Sequence, residues 1–451
     1  MRKSIRLAII LSLCVPSAFA NQEANTYRAK IREWVKSHAR RPLPTIAPEP
    51  NDRAADLVDE LRYTNLARME QAKLLAAQLP EDPWSGSHWP IYQGAIANRY
   101  GDQNFPAGGN WKENSIYLES ALGKGGNEEL SPAEKYDLLI GDSQFTLTKK
   151  MIRSGAPYAK PDGSLPTWFG LCHGWAPASF MEARPRHGIK VSAADGRELV
   201  FTQSDLKALT TLLWANGASE TRFIGGRCNL ENPPRDGNER DTRSDCFDTN
   251  PATWHLSVVN QIGVAKRSFV ADISAASEVW NQPAVSYKYV YVNPLTGASG
   301  QSLEKAKVRL ADWRADPFFR SRSPQAVYVV KIQMQFVYGA ETSPSTLGED
   351  PPELDSFATA TYRYDLELDE QDNIVGGEWH TPAHPDFLWV PVKGGQASSE
   401  GDTALDRDGD NSSWNPSAAL PASWKKAARL SSANSQPLAR VVKRLLELSR
   451  N

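Results

Sequence analysis

Four cysteines in 451 residues, one of them inside an export-type leader, restrict this chain more than any other feature of its sequence. Residues 1–20 read as that leader. Arg2, Lys3 and Arg6 precede the apolar run LAIILSLCV, and Ala18-Phe19-Ala20 suits cleavage near Ala20. Leu13 is a poor residue ahead of a lipid-modified Cys14, so the leader is read as cleaved and not as a lipid anchor. The expected destination is secreted or periplasmic, an oxidising compartment in which the remaining Cys172, Cys228 and Cys246 form at most one bridge and leave one thiol over. Cys228 and Cys246 flank the polar loop NLENPPRDGNERDTRSD, and a bridge across it stabilises the fold by about 3 kcal/mol in the chain-entropy model. Cys172 is then the unpaired thiol.

Some 430 of the 451 residues follow the leader, enough for one large domain with insertions or for two or three smaller ones. The net charge of -2 gives no reason to expect nucleic acid or an anionic membrane as partner. No later stretch approaches the roughly 20 apolar residues of a membrane span. The fold class expected is α+β, with helices first and an antiparallel sheet afterwards. Residues 21–80 read as an appendage, with a Pro-rich linker (RRPLPTIAPEPND) and then one helix from a cap at Asn51 or Asp52 through LLAAQL. It is either a removable pro-segment or a supporting helix. Residues 81–393 read as the catalytic domain and 394–451 as a polar tail that ends in the helix LARVVKRLLELSR.

Within the middle portion, PWSGSHWPIYQGAIANRYGDQNF is loop. Ser131-Pro132-Ala133-Glu134 opens a helix to about Ile140 with cap, Pro and capping Glu in the expected order. SDLKALTTLLWAN is a second helix, capped by Ser204. Strands are expected at HLSVVNQIG (255–263), SFVADI (268–273), VSYKYVYV (285–292) and AVYVVKIQMQFVYG, where Val330, Ile332, Met334 and Phe336 alternate with polar residues. YRYDLELDEQDNIVGGEW reads as a hairpin around Glu370–Asn373.

The thiol sits in TWFGLCHGWAPASFMEA, where Gly170 and Gly174 free the backbone and Pro177 suits the first turn of a helix to about Glu182. A cysteine at a helix mouth meets the positive end of the helix dipole, which favours the thiolate. The alternative is a buried structural cysteine. A nucleophilic thiol needs a base, and the base needs a group to hold its ring. Of the seven histidines, His38 and His88 lie in polar upstream sequence, and His173 adjoins the thiol, where side chains diverge. His187 sits in a basic turn, and His380 and His384 lie in a Pro-rich loop. His255 stands out because it opens an expected strand whose neighbour carries Asp272 at its end. Two antiparallel strands would bring that carboxylate to the imidazole. Against this, His255 caps a strand and Asp272 pairs with a cation; Asn260 or Asn281 are alternative orienters. Trp89, Gln93 and Trp168 are candidates for the oxyanion hole or pocket, and packing is the competing role for each. Asp406, Asp408 and Asp410 alternate as in a calcium loop, but Ser417 stands where such a loop needs a bidentate Glu, so a solvated acidic turn is the reading preferred there.

LCHGWAPASF, NPATWHLSVVNQIG, FVADI and SEVWNQP resemble the transglutaminase elicitor family, as does HWPIYQGAIANRY, over about residues 80–390. Val279 to Pro283 (VWNQP) resembles the start of the family segment that plants perceive, and the likeness ends at Pro283, where AVSYKYVYV follows. The resemblance implies a papain-like, transglutaminase-like thiol core and cross-linking of protein glutamine to lysine through a thioester, with Cys172, His255 and Asp272 as triad. It implies no cofactor, and calcium assistance without an assignable site. The competing readings are a secreted cysteine peptidase or amidase using the same triad, and a non-enzymatic elicitor-like or toxin-like recognition module.

Overall fold

A long antiparallel sheet with a different core on each face organises the molecule. The computed structural model describes residues 52–226, 234, 248–274, 278–381 and 383–450. The expected leader with Cys14, and Cys228 and Cys246 with their expected bridge, lie outside these residues. In chain order the strands are β1 (Ala76–Gln78), β2 (Ile189–Ser192), β3 (Glu198–Phe201), β4 (Thr221–Gly225), β5 (Val270–Asp272) and β6 (Asn281–Val292), then β7 (Ser299–Gly300), β8 (Val308–Arg309), β9 (Tyr328–Ala340), β10 (Ser356–Leu368), β11 (Ile374–Trp379) and β12 (Phe387–Pro391). The main sheet runs β11-β10-β9-β6-β5-β12-β4, with β1 and β7 added on β6 and β8 on β9; β2 and β3 form a separate hairpin. Every pairing is antiparallel, as expected for the α+β class.

The helices are α1 (Leu66–Gln71), α2 (Trp111–Ala121), α3 (Pro132–Ile140), α4 (Thr146–Arg153), α5 (Cys172–Met181), α6 (Gln203–Asn216), α7 (Pro251–Val258), α8 (Leu303–Ala306), α9 (Glu400–Arg407), α10 (Ala422–Ala433) and α11 (Ala439–Leu448). Helix α3 carries the capping box expected of it: the Ser131 hydroxyl accepts from the Glu134 amide, and Glu134 accepts from the Ser131 amide. Helix α6 begins earlier than expected. Thr202 caps it with Asp205 as the reciprocal partner, while the Ser204 hydroxyl accepts from the amide of Ser345. The strands expected at 268–273, 285–292 and 326–339 are present, as β5, β6 and β9, and so is the hairpin closing at Asp372, whose φ of 64° lies in the left-handed region.

Three expectations are corrected. The single helix from residue 51 or 52 is instead a 3-10 turn at Ala54–Asp56, then α1 and then β1. Asn65 interrupts it by capping α1, its side chain accepting from the Arg68 amide. These residues are no appendage: β1 pairs with β6, and Leu57, Leu66 and Met69 are buried against the sheet. The polar tail is also integrated. Helices α9 to α11 bury Leu405, Trp424, Val441, Val442 and Leu445 in one helical core with α3 to α6. The strand expected at 255–263 is α7 continued by a π turn at Val259–Val264. Asn250 caps α7 and Pro251 takes its first turn, a start signal that outweighs the β-branched content of the segment.

Residues directly opposite in an antiparallel pair share a sheet face, and residues an odd number apart along a regular strand do not. Asp272 stands opposite Asn281, Val270 opposite Trp389, and Trp389 opposite Phe223. Asp272, Asn281, Phe387, Trp389 and Phe223 therefore project together. Ala284 stands opposite Tyr338, and a bulge at Val285 lets Tyr287 and Tyr289 share the face of Ala284, opposite Phe336 and Met334. That second face is covered by α7 and the N-terminal residues, and its core contains Trp254, Phe269, Ala284, Tyr289, Phe336 and Tyr364. Helix α5 packs between the first face and α6. Gly174 allows the close approach to α6, because a Cβ there would lie 2.2 Å from the Thr211 carbonyl.

Candidate functional site

Cys172 is the first residue of α5. Leu171, with φ of −101° and ψ of 29°, makes the turn into the helix and contributes no side-chain cap. The first amides of a helix have no carbonyl one turn earlier to bond, so they present the positive end of the dipole to the thiol. Pro177 therefore sits inside the helix and not at its start, as the sixth residue of the span Cys172–Met181.

Val279 and Asn281 both meet the sulfur. The thiol donates to the Val279 carbonyl at 3.9 Å, and Asn281 Nδ2 donates to Sγ at 3.6 Å. The orientation of that amide is chemically determined. Trp389 Nε1, which can only donate, bonds the other end of Asn281 at 2.8 Å, so this end is Oδ1 and the NH2 faces the sulfur. Asp272, cross-strand from Asn281, accepts the Trp280 amide at 2.9 Å through Oδ1 and so secures the backbone between Val279 and Asn281. Around them Trp168, Phe169, Val279 and Phe387 are buried, with Phe223, Trp280 and Trp389 half-buried beside them. Cys172 itself is 2 % exposed, so the thiol lies beneath this aromatic wall.

The structure brings Cys172 and Asp272 to one face and leaves His255 on the other. His255 is fully buried on α7; its Nδ1 is 2.9 Å from Tyr364 Oη, its ring stands edge-on to Tyr289 at 4.7 Å, and Nε2 has no partner. Tyr289 belongs to the face opposite Asn281, so the sheet separates this imidazole from the sulfur. The expected Cys172–His255–Asp272 hydrogen-bond chain is not formed. Its premise, two neighbouring strands, fails because residue 255 is helical. Burial pushes the His255 ring down to about 3, so it stays neutral in the folded protein.

The other candidates separate in the same way. Trp168 lines the aromatic wall. Trp89 is buried in the helical core, edge-on to Tyr100, and Gln93 is engaged on both ends of its amide by Ala107, Tyr92 and Asn98. Neither has a bond to the thiol. Of the alternative orienters, Asn260 ties down the N-terminal segment through the amides of Arg62 and Tyr63 and the carbonyl of Tyr63, while Asn281 is the one at the sulfur. His173, beside the thiol, is pushed down to about 4 by burial. The sequence offered Asn281 only as an alternative orienter of the imidazole; nothing in it pointed to a contact with the sulfur or to the bond with Trp389.

In the acidic turn, Asp406 is paired with Arg440, and Asp410 accepts from Ser412. Among the described residues one group has a metal-ligand arrangement: Asp248, His384 and Asp386, whose ligand atoms lie within 4.8 Å of one another. No helix of the described residues is long and apolar enough to cross a membrane.

A family model described as transglutaminase elicitor matches residues 59–406. No curated protein matches the chain. Among solved structures, the GP42 transglutaminase from Phytophthora sojae is similar at 21 % identity and a TM-score of 0.48, over 72 % of this chain and 85 % of that one.

Proposed function

The chain belongs to the transglutaminase elicitor family, and from that premise we propose that it is an exported protein-glutamine γ-glutamyltransferase with Cys172 as nucleophile. The observation that carries the proposal is the thiol at the first residue of α5, with the Asn281 amide locked onto it by Trp389. A helix mouth and an N–H donor both favour negative charge on sulfur.

The thiolate attacks the γ-carboxamide carbon of a protein-bound glutamine. The amide nitrogen leaves as ammonia once protonated, and a thioester remains on Cys172. A lysine ε-amine then attacks the thioester, and the thiolate departs as the isopeptide bond forms. Charge developing on the carbonyl oxygen has two nearby kinds of donor, the first-turn amides of α5 and Asn281 Nδ2. Asp272 is a positioning residue, which keeps Val279 to Asn281 in register with the thiol through the Trp280 amide. The buried aromatic wall suits a reaction in which water must not compete with an amine for the thioester.

Incubation with a glutamine-bearing protein and a fluorescent primary amine tests this reading. Incorporation of the amine with release of ammonia is expected, and Cys172→Ala should reduce both to background, roughly a 10³-fold loss or more. Cleavage without incorporation would make the protein a thiol hydrolase. Incorporation that survives Cys172→Ala would overturn the assignment.

A further inference from the structure

A thiol that expels ammonia needs an imidazole or an equivalent proton carrier, and His255 is behind the sheet. This inference rests on the proposed nucleophilic role of Cys172. We infer that His88 is the imidazole that exchanges a proton with Cys172.

The upstream loop is laced to the segment that enters α5. The Leu171 amide donates to the His88 carbonyl at 2.5 Å, and the Ile91 amide donates to the Phe169 carbonyl at 2.8 Å. Trp89, between them, has φ of 48°, so the loop turns sharply just after His88. The ring of His88 lies over Gly170, two residues before the thiol. A Cβ on residue 170 would stand 2.5 Å from His88 Cδ2 and 2.4 Å from its carbonyl oxygen, so only glycine leaves room for this ring and backbone. On its other side the ring meets Trp280 edge-on at 5.9 Å. Trp280 lies between Val279 and Asn281, both of which touch Sγ. His88 is thus held between the chain that leads into Cys172 and the strand segment that faces it.

The tautomer follows from its single polar contact. His88 Nε2 is 3.3 Å from the Thr167 carbonyl, which can only accept, so Nε2 carries the proton in the neutral ring and Nδ1 holds the lone pair. A backbone carbonyl does here what a carboxylate does in a Ser-His-Asp triad. Nδ1 takes the thiol proton, giving thiolate and imidazolium. Nδ1–H then delivers that proton to the departing amide nitrogen, which leaves as ammonia. The free Nδ1 afterwards accepts a proton from the attacking lysine amine as the C–S bond breaks, and the ring ends as imidazolium beside the regenerated thiolate. Among the other histidines of the described residues, His173 is shielded and has no partner at Nδ1, His187 meets Ser449 through its backbone, His380 pairs with Asp365, and His384 stacks on Trp379, which packs against Trp254 in the opposite core.

The test is the pH dependence of Cys172 alkylation by iodoacetamide in the full chain, read with His88→Gln. Glutamine keeps a donor for the Thr167 carbonyl and removes the titrating nitrogen. The wild-type thiol is expected to react at pH values well below the ordinary thiol range, and His88→Gln to move the midpoint up by at least about one unit, toward roughly 8.5. Gly170→Ala, which displaces the ring, should move it the same way. Superimposable profiles for wild type and both variants would overturn the inference. If neither variant folds, histidine-ring NMR of the wild type and Cys172→Ala decides: the His88 titration must shift when the sulfur is removed, and an unmoved titration sinks it. A shifted profile in a protein that incorporates no amine would defeat the transferase reading and leave the Cys172–His88 pairing standing. Incorporation with an unshifted profile would do the reverse.

Discussion

Two faces of one sheet receive two polar residues of the same apparent promise and use them in opposite ways. On the α5 face, Cys172 meets directed donors and acceptors: Asn281 Nδ2, the Val279 carbonyl, and behind them Trp389 and Asp272. On the α7 face, His255 meets tyrosines and hydrocarbon, with one hydrogen bond to Tyr364 and an unpartnered Nε2. The first environment aims a donor and an acceptor at its side chain, and the second keeps its side chain neutral. Burial depth does not distinguish them, since both are nearly or fully inaccessible. What differs is whether the surrounding dipoles are aimed at the group.

The comparison can be broken or sharpened by substitution. Beyond the loss at Cys172→Ala, the largest effect is expected at Asn281→Ala, which removes the donor at the sulfur and strands the Trp389 N–H. Amine incorporation should fall about 10²-fold with the fold retained, a magnitude typical of removing one transition-state donor, as kcat and a thermal melt would reveal. An unchanged kcat would mean that the α5 face is packing and nothing more.

His255→Gln should act on stability alone. The unfolded imidazole takes up a proton near pH 6.5, whereas the folded one resists it until about pH 3. Because this folded value is depressed, the unfolded chain binds the extra proton across that window, so stability is lost as pH falls from 6.5 toward 3, by up to about 1.4 kcal/mol per unit. Glutamine cannot take up that proton, so urea midpoints measured from pH 7 to pH 4 should decline less steeply in the variant, with amine incorporation per folded molecule unaltered. A specific loss of activity in a well-folded His255→Gln protein would break the two-face comparison. The smallest effect is expected for Tyr364→Phe, which removes the hydrogen-bond partner of His255 Nδ1. It should cost about 1 kcal/mol by chemical denaturation and leave the reaction rate as it was.

Much of the architecture was legible in short-range pattern. The capping box at Ser131, the alternation of Val330 to Phe336 and the hairpin at Asp372 are local signals, and the folded chain keeps each of them. Segments whose partners are remote were misread. The N-terminal run was read as one helix because its leucines are helically spaced, yet residues 76–78 pair with β6, more than two hundred positions away. The C-terminal run was read as tail because it is polar on average, although its apolar residues lie on faces that close the helical core. At the site, Cys172 was legible from the odd cysteine count expected once a leader is removed and from its flanking glycines, whereas His88 was set aside as lying in polar upstream sequence.

By itself the sequence determined that one of four cysteines stands between two glycines close to the start of a helix, and that an antiparallel sheet follows. These are consequences of counting, capping and periodicity, which act over a few residues. Only the tertiary structure decided which imidazole shares a face with the thiol. A bulge at Val285 and the helical state of residues 251–258 set the faces of Asn281 and His255, and both depend on pairing and burial between distant segments.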